Sequence, residues 1–272
     1  MSSIEIVHGE HPVVCPKAAM LDFDGTLSVI RAGWHPILIG LFLKYLRDTP
    51  QGKLRSETEL EEVAKSHIEL QIGQQPIYQF YSLVQVIREF GGIPSEPEDY
   101  LREYYQFLFE IVRRRHDQIR NGVDPQEFVV PGTYGLLAML QRRGLKLYLV
   151  SGTEEELVRE DVRLLRLSDY FDGGIYGGQK TPSSFSKALL VDRILRENQL
   201  TGAELLGFGD GHTETCEVKK VGGFAIGVAS NETARSGIDL WKRDQLLRAG
   251  ADWIIPDYND LATIESKLFE LP

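Results

Sequence analysis

The sequence predicts an α/β protein, a mostly parallel sheet between layers of helices, interrupted by an inserted all-α block. Two observations carry this. From Pro131 onward, short apolar runs alternate with amphipathic stretches, the pattern of successive βα units whose strands pair in parallel and whose helices cover both faces. Between an early apolar run at 17–23 and that alternating half, residues from about 33 to 116 read as helices in series without a convincing strand. One strand, then an all-helical block, then the rest of the sheet describes a core with a cap inserted into it.

Taken in order, KAAMLDF at 17–23 is short, apolar and closed by Gly25, as a buried strand should be. Four helices follow: GWHPILIGLFLKYLR, SETELEEVAKSHIELQIG, PIYQFYSLVQVIREF and PEDYLREYYQFLFEIVRRR. Ser56 with Glu59 has the spacing of a capping box, and Pro97 suits a first helical turn, where its missing N–H costs nothing. In the second half, PGTYGLLAMLQRRG is a helix closed by Gly144 and LKLYLV a strand. TEEELVREDVRLLRL is a helix with acids at its positive end, so Glu154, Glu155 and Glu156 read as a solvated helix start. GGIYGG is a short strand, SSFSKALLVDRILREN a helix, and ELLGFGD a strand entering a loop. TETCEVKKVG is a helix, and the strands GFAIGV and ADWIIP precede a terminal helix.

Composition excludes little but sets bounds. The chain has 272 residues, 42% of them hydrophobic and 26% charged, enough for a sizeable core without disulfides. A net charge of −10 argues against a nucleic-acid partner, whose phosphate backbone needs a basic surface. Two distant cysteines, Cys15 and Cys216, are expected as reduced thiols, the second as a small buried hydrophobe. MSSIEIVHGEHP lacks the basic start and apolar run of a secretory signal, and the apolar stretch at 36–46 is too short to span a bilayer. The expectation is a cytoplasmic protein with no membrane partner. Oligomeric state is not readable.

Four polar groups follow apolar runs, at the strand ends where open α/β sheets bind ligands. In LDFDGT, Asp22 and Asp24 are two apart, so on extended backbone both carboxylates lean to one side. Such a pair repels unless one protonates or a cation sits nearby, while Gly25 permits a tight turn. Read alone, the stretch fits a simple strand-to-turn transition equally well. Ser151 in LYLVSGT suits phosphate binding before a helix, although an N-cap explains it as well. Lys187 stands at a helix start where the dipole disfavours a cation; Lys180 lies in a Gly-rich loop. In LLGFGDGHTETCEV, Asp210 and Glu214 offer the hard oxygens that magnesium prefers, whereas His212 reads as a loop residue.

These residues resemble the four motifs of the haloacid dehalogenase superfamily, in order and over nearly the whole chain. The DxDGT motif matches Asp22, Asp24, Gly25 and Thr26, and the serine after an apolar strand matches Ser151. The family's lysine matches Lys187 better than Lys180. The GDxxxD motif matches Gly209 and Asp210, with Glu214 in place of the commoner aspartate. The resemblance, nearest to the phosphoglycolate phosphatase and β-phosphoglucomutase-like members, implies a Rossmann-like parallel sheet core formed by residues 1–30 and 125–272. It implies a helical type 1 cap at 31–124.

The resemblance further implies a phosphatase that forms an aspartyl-phosphate on Asp22, with Asp24 as acid and base. Ser151, Gly152 and Lys187 would bind the phosphoryl group. Mg²⁺ would be held by Asp22, the backbone carbonyl of Asp24 and Asp210, and Glu214 would hold a metal-bound water. A cap that closes over the site implies a small phosphorylated substrate, a sugar phosphate or a phosphorylated acid. Arg31, Trp34, His35 and the arginines at 113–115 are candidates for choosing it, the last equally readable as a solvated helix end. Alternatives on the same scaffold are a phosphomutase, a phosphonatase with a Schiff-base lysine among Lys44, Lys53 and Lys65, and a non-catalytic phospho-ligand binding protein. Asp24 argues against carbon–halogen cleavage, since dehalogenases of this superfamily lack the second aspartate.

Overall fold

The structure is a computed structural model that describes residues 4–72, 74–179 and 186–269. The fold is α/β. Among the described residues seven strands form one sheet: β1 (Glu5–Ile6), β2 (Ala18–Leu21), β3 (Lys146–Glu154), β4 (Gly174–Gly178), β5 (Leu205–Gly209), β6 (Phe224–Val228) and β7 (Trp253–Ile255). Their order is β1-β7-β6-β5-β2-β3-β4. All pairs are parallel except β1 with β7. Helices α5 (Thr133–Arg142), α6 (Glu155–Leu164), α7 (Lys187–Asn198), α8 (His212–Lys220), α9 (Leu240–Ala249) and α10 (Leu261–Phe269) accompany the sheet.

β2 is an interior strand, flanked by β5 and β3. Covered on both faces, all four of its residues are buried, which is why the run AAML carries no polar alternation. Leu21 pairs with Leu149 on one side and Phe208 on the other. This register puts the residues that follow the three apolar runs at one edge of the sheet, so Asp22, Ser151 and Asp210 meet there.

Between β2 and β3 lie α1 (Trp34–Arg47), α2 (Glu57–Glu69), α3 (Ile77–Glu89) and α4 (Pro97–Arg120). They bury a separate cluster that includes Phe42, Leu46, Leu60, Phe80 and Leu108. The capping box of Ser56 and Glu59 forms at the start of α2, and Pro97 opens α4. The apolar stretch at 36–46 lies in α1 and packs into this helical cluster. Among the described residues no helix is long and apolar enough to cross a membrane.

The structure departs from the sequence reading in several places. β1 and α9 were not foreseen. β3 continues to Glu154 instead of ending near Val150, and its pairing with β4 shifts register between those two residues. Thr153 and Glu154, expected in a helix, therefore belong to the strand end, and α6 starts at Glu155. Cys216 is half-buried rather than a core residue, its Sγ 3.4 Å from His212 Nε2; both cysteines are free thiols.

Candidate active site

Asp22 extends β2 by one residue, its N–H donating to the Phe208 carbonyl at 2.9 Å. The residue is 6% exposed, and its carboxylate meets the Lys187 ammonium at 2.6 Å. Lys187 is the first residue of α7. The helix end repels its charge, and two carboxylates offset that repulsion: the same Nζ lies 2.8 Å from Glu214 Oε2. Glu214, in the first turn of α8, folds back so that Oε1 accepts the Gly211 N–H at 2.6 Å. A Cβ at Gly209 would fall 2.1 Å from Glu214 Cγ, so only glycine admits this fold. Burial pushes the Asp22 carboxyl well above the usual aspartate range; Lys187 opposes the shift, and Glu214 and Asp210 reinforce it. Burial also works against the Glu214 charge, but Lys187 outweighs it and holds that carboxyl below its usual value.

Asp24 turns to a different set of partners. Thr153 Oγ1 donates to its Oδ2 at 2.9 Å, and Arg31 Nη1 lies 3.1 Å from Oδ1. Ser151 Oγ is 3.5 Å from Oδ2 and accepts the Thr153 N–H at 3.1 Å. Arg31 is itself buried and forms a second ion pair with Asp161 of α6. Asp161 in turn meets His116 Nε2 of α4 at 2.6 Å. Burial raises the Asp24 pKa, and Arg31 pulls it back.

Asp210 follows β5, with Lys242 Nζ at 2.8 Å from Oδ2. That ammonium also touches Glu232 at 2.7 Å and donates to Ser230 Oγ at 3.2 Å. Ser230 donates to the Gly25 carbonyl at 2.5 Å. Gly25 has φ +75°, and a Cβ there would meet Asp210 Oδ2 at 2.0 Å. The turn after Asp24 can therefore approach Asp210 only through glycine. Burial raises the Asp210 pKa to about 6 despite Lys242.

One carboxylate oxygen from each of Asp22, Asp210 and Glu214 lies within 4.8 Å of the others. Three acids this close, Asp22 and Glu214 buried and Asp210 half-buried, all hard oxygen donors, fit a divalent cation of the Mg²⁺ type. The Asp24 carboxylate is not part of this cluster, being turned to Arg31 and Thr153.

A cavity of about 110 Å³ opens over these groups. Its floor includes Asp22, Asp24, Ser151, Gly152 and Asp210. Arg31 and Trp34 line it too, as the sequence suggested for specificity residues. His35 is absent from the lining and packs its ring 4.8 Å from Trp241. Arg115 donates to the carbonyls of Val29, Ile30 and Ala32, holding the crossing into the helical block. Lys44 pairs with Glu103 and Lys65 with Glu61; no lysine is among the described lining residues. Lys180 lies outside the described residues. Sequence reasoning missed Thr153, Asp161 and Lys242 altogether, and it read Arg31 only as a candidate for choosing substrate. Lys242 sits on a helix that carried no motif.

The model of the haloacid dehalogenase-like hydrolases matches residues 16–215. Among solved structures, a predicted phosphoglycolate phosphatase from Haemophilus somnus 129pt superposes with a TM-score of 0.60 at 16% identity, covering 93% of this chain and 99% of that one. A phosphonoacetaldehyde hydrolase-like protein from Oleispira antarctica gives 0.61 at 14%, covering 94% and 93%. The β-phosphoglucomutase of Clostridium difficile gives 0.57 at 14%, covering 93% and 96%. At these identities the likeness is one of fold. No curated protein matches the chain.

Proposed function

The chain belongs to the haloacid dehalogenase-like hydrolases, and on that premise we infer that it is a Mg²⁺-dependent phosphomonoesterase acting on a small phosphorylated metabolite. The observation that carries this is the convergence of Asp22, Asp24, Ser151, Lys187 and Asp210 at the ends of three neighbouring strands. Asp22 attacks phosphorus in line and becomes an aspartyl-phosphate. Asp24 gives its proton to the leaving oxygen, then takes one from the water that hydrolyses the intermediate. A raised pKa at Asp24 suits a carboxyl that must carry a proton at the moment of attack. Ser151 Oγ–H, the Gly152 N–H and the Lys187 ammonium hold the phosphoryl oxygens, and Lys187 also screens Asp22. Asp22, Asp210 and the Asp24 carbonyl would hold Mg²⁺, with Glu214 beside it; when bound, the ion neutralises charge on the acids and the phosphoryl group.

The test is release of inorganic phosphate from simple phosphate esters with Mg²⁺ present. Asp22→Asn should lose this activity by on the order of 10³-fold or more while its circular dichroism is unchanged. Activity retained in that variant would sink the assignment. Recovery of an isomeric phosphate ester in place of free phosphate would instead identify a phosphomutase.

A further inference from the structure

The cavity has two unlike halves. The floor binds a phosphoryl group; the helical side must accept whatever that group leaves behind. On that side stand Trp34, Leu38, Ile72, Tyr104, Tyr105 and Leu108, a surface of rings and aliphatic chains. Its polar groups are neutral: the amides of Gln71, Gln74 and Gln79 and the hydroxyls of Tyr104 and Tyr105, the latter donating to Glu154. Among the described lining residues Arg31 is the one cation, and it is already held between Asp24 and Asp161. The acids of the lining are likewise engaged: Asp22 by Lys187, Asp24 by Arg31 and Asp210 by Lys242. An ionised leaving group would thus give up its hydration to face neutral side chains, which is costly without a counter-charge.

Gln79 adds a positive requirement. The residue is 5% exposed, and its Nε2 donates to the Ile68 carbonyl at 3.3 Å. That carbonyl can only accept, so it fixes which end of the amide is nitrogen. The Oε1 left over is buried and has no hydrogen-bond partner among the described residues. A buried acceptor of this kind is unfavourable until a donor reaches it.

We propose that the cavity selects phosphate esters of uncharged alcohols that carry an apolar or aromatic body and a hydrogen-bond donor for Gln79, and that it rejects esters whose leaving group bears a carboxylate or a second phosphate. The proposal rests on the phosphatase reading above and narrows it: phosphorylated acids fall outside the accepted class, and neutral hydroxylated esters fall inside it. Gln79 is a specificity-determining residue that touches the leaving group and not the reacting atoms.

A matched set of benzyl phosphates separates these claims, because substituents at the far end of the ring scarcely alter the reacting oxygen. The parent, the 4-hydroxymethyl, the 4-carboxy and the 4-aminomethyl esters are compared with Mg²⁺ by kcat/KM. The 4-hydroxymethyl ester should exceed both charged esters by at least about tenfold. Gln79→Leu should lower the ratio of the 4-hydroxymethyl ester to the parent, whereas a merely structural role would lower both rates together and leave that ratio unchanged. A 4-carboxy or 4-aminomethyl ester turned over as well as the 4-hydroxymethyl ester overturns the proposal, as does an unchanged ratio in Gln79→Leu. If none of the four is hydrolysed while p-nitrophenyl phosphate is, the proposal is overturned; if no phosphate ester is hydrolysed, the phosphatase reading fails. The preference is then read by calorimetric titration of the corresponding benzylphosphonates, where equal or tighter binding of a charged member overturns it.

Discussion

At Asp24 opposing influences set the ionisation of one carboxyl. Burial raises its pKa, Arg31 lowers it, and Asp161 on the far side of that guanidinium raises it again. Arg31→Met would leave Asp24 and Asp161 facing each other without a cation. Removing one member of a buried ion pair costs about 3–5 kcal/mol, a loss measurable by urea denaturation. The same change raises the Asp24 pKa further, so the high-pH limb of kcat/KM, where a general acid loses its proton, should move to higher pH. An unmoved limb would contradict Asp24 as the proton donor. How far these residues could be read from the sequence depends on what fixes them. Asp22, Ser151 and Asp210 each follow an apolar run, and strand ends are legible locally. Lys187 drew notice because a cation opposes the start of its own helix. Arg31 as the partner of Asp24, and Lys242 as the partner of Asp210, follow from tertiary placement alone, which no local pattern records.

Among the elements, α9 shows why some helices escape a reading by periodicity. Its buried residues are Lys242, Gln245, Leu246 and Ala249, so half of its inward face consists of long polar side chains rather than an apolar stripe. Its signals lay in the flanks instead. Asp239 accepts the Lys242 N–H at 3.0 Å, and Gly250 ends the helix with φ +83°. β3 overran its expected end for a related reason: SGT carries no apolar marker, and pairing with β4 resumes only at Glu154. Side-chain hydrogen bonds tie the helical block to the core. Tyr105 donates to Glu154, Thr213 donates to the Ile72 carbonyl at 2.7 Å, and Trp241 Nε1 donates to Glu69 at 2.5 Å. If the block must seat over the substrate, Trp241→Phe should raise KM about fivefold, the worth of a hydrogen bond of about 1 kcal/mol, with kcat little changed. A normal KM would show that this tie does not help close the cavity.

For the molecule as a whole, the acid cluster couples stability to both protons and metal. Asp210 has its pKa raised by burial from 3.8 to about 6, and Asp22 and Asp24 are raised as well. A carboxyl with a higher pKa folded than unfolded binds its proton more tightly in the fold. Its stabilising contribution is complete below the unfolded value and lost as pH rises through the folded one. At about pH 7.5 the metal-free protein should therefore carry repulsion that Lys187 and Lys242 offset only in part and that Mg²⁺ relieves, whereas at about pH 5 protons compete for the same oxygens. The rise in Tm on adding Mg²⁺ should be larger at the higher pH, and Asp210→Asn should shrink the difference. An equal rise at both pH values would place the ion elsewhere. At this scale the α/β class and the interrupting helices were legible, because most strands and helices, β1 and α9 excepted, show as apolar runs or amphipathic stretches. Sheet order was not, since which strands become neighbours depends on contacts distant in sequence.

The central claim is that Asp22 takes the phosphoryl group. The direct measurement mixes Asp24→Ala protein with p-nitrophenyl phosphate and Mg²⁺, quenches in acid, and maps the product by peptide mass spectrometry. With the leaving group needing little proton help and the water left without its base, a phosphoryl group should accumulate on the peptide containing Asp22. It should be absent when Asp22→Asn is added. A phosphoryl group found on another residue, or none trapped while phosphate is still released, would contradict the account.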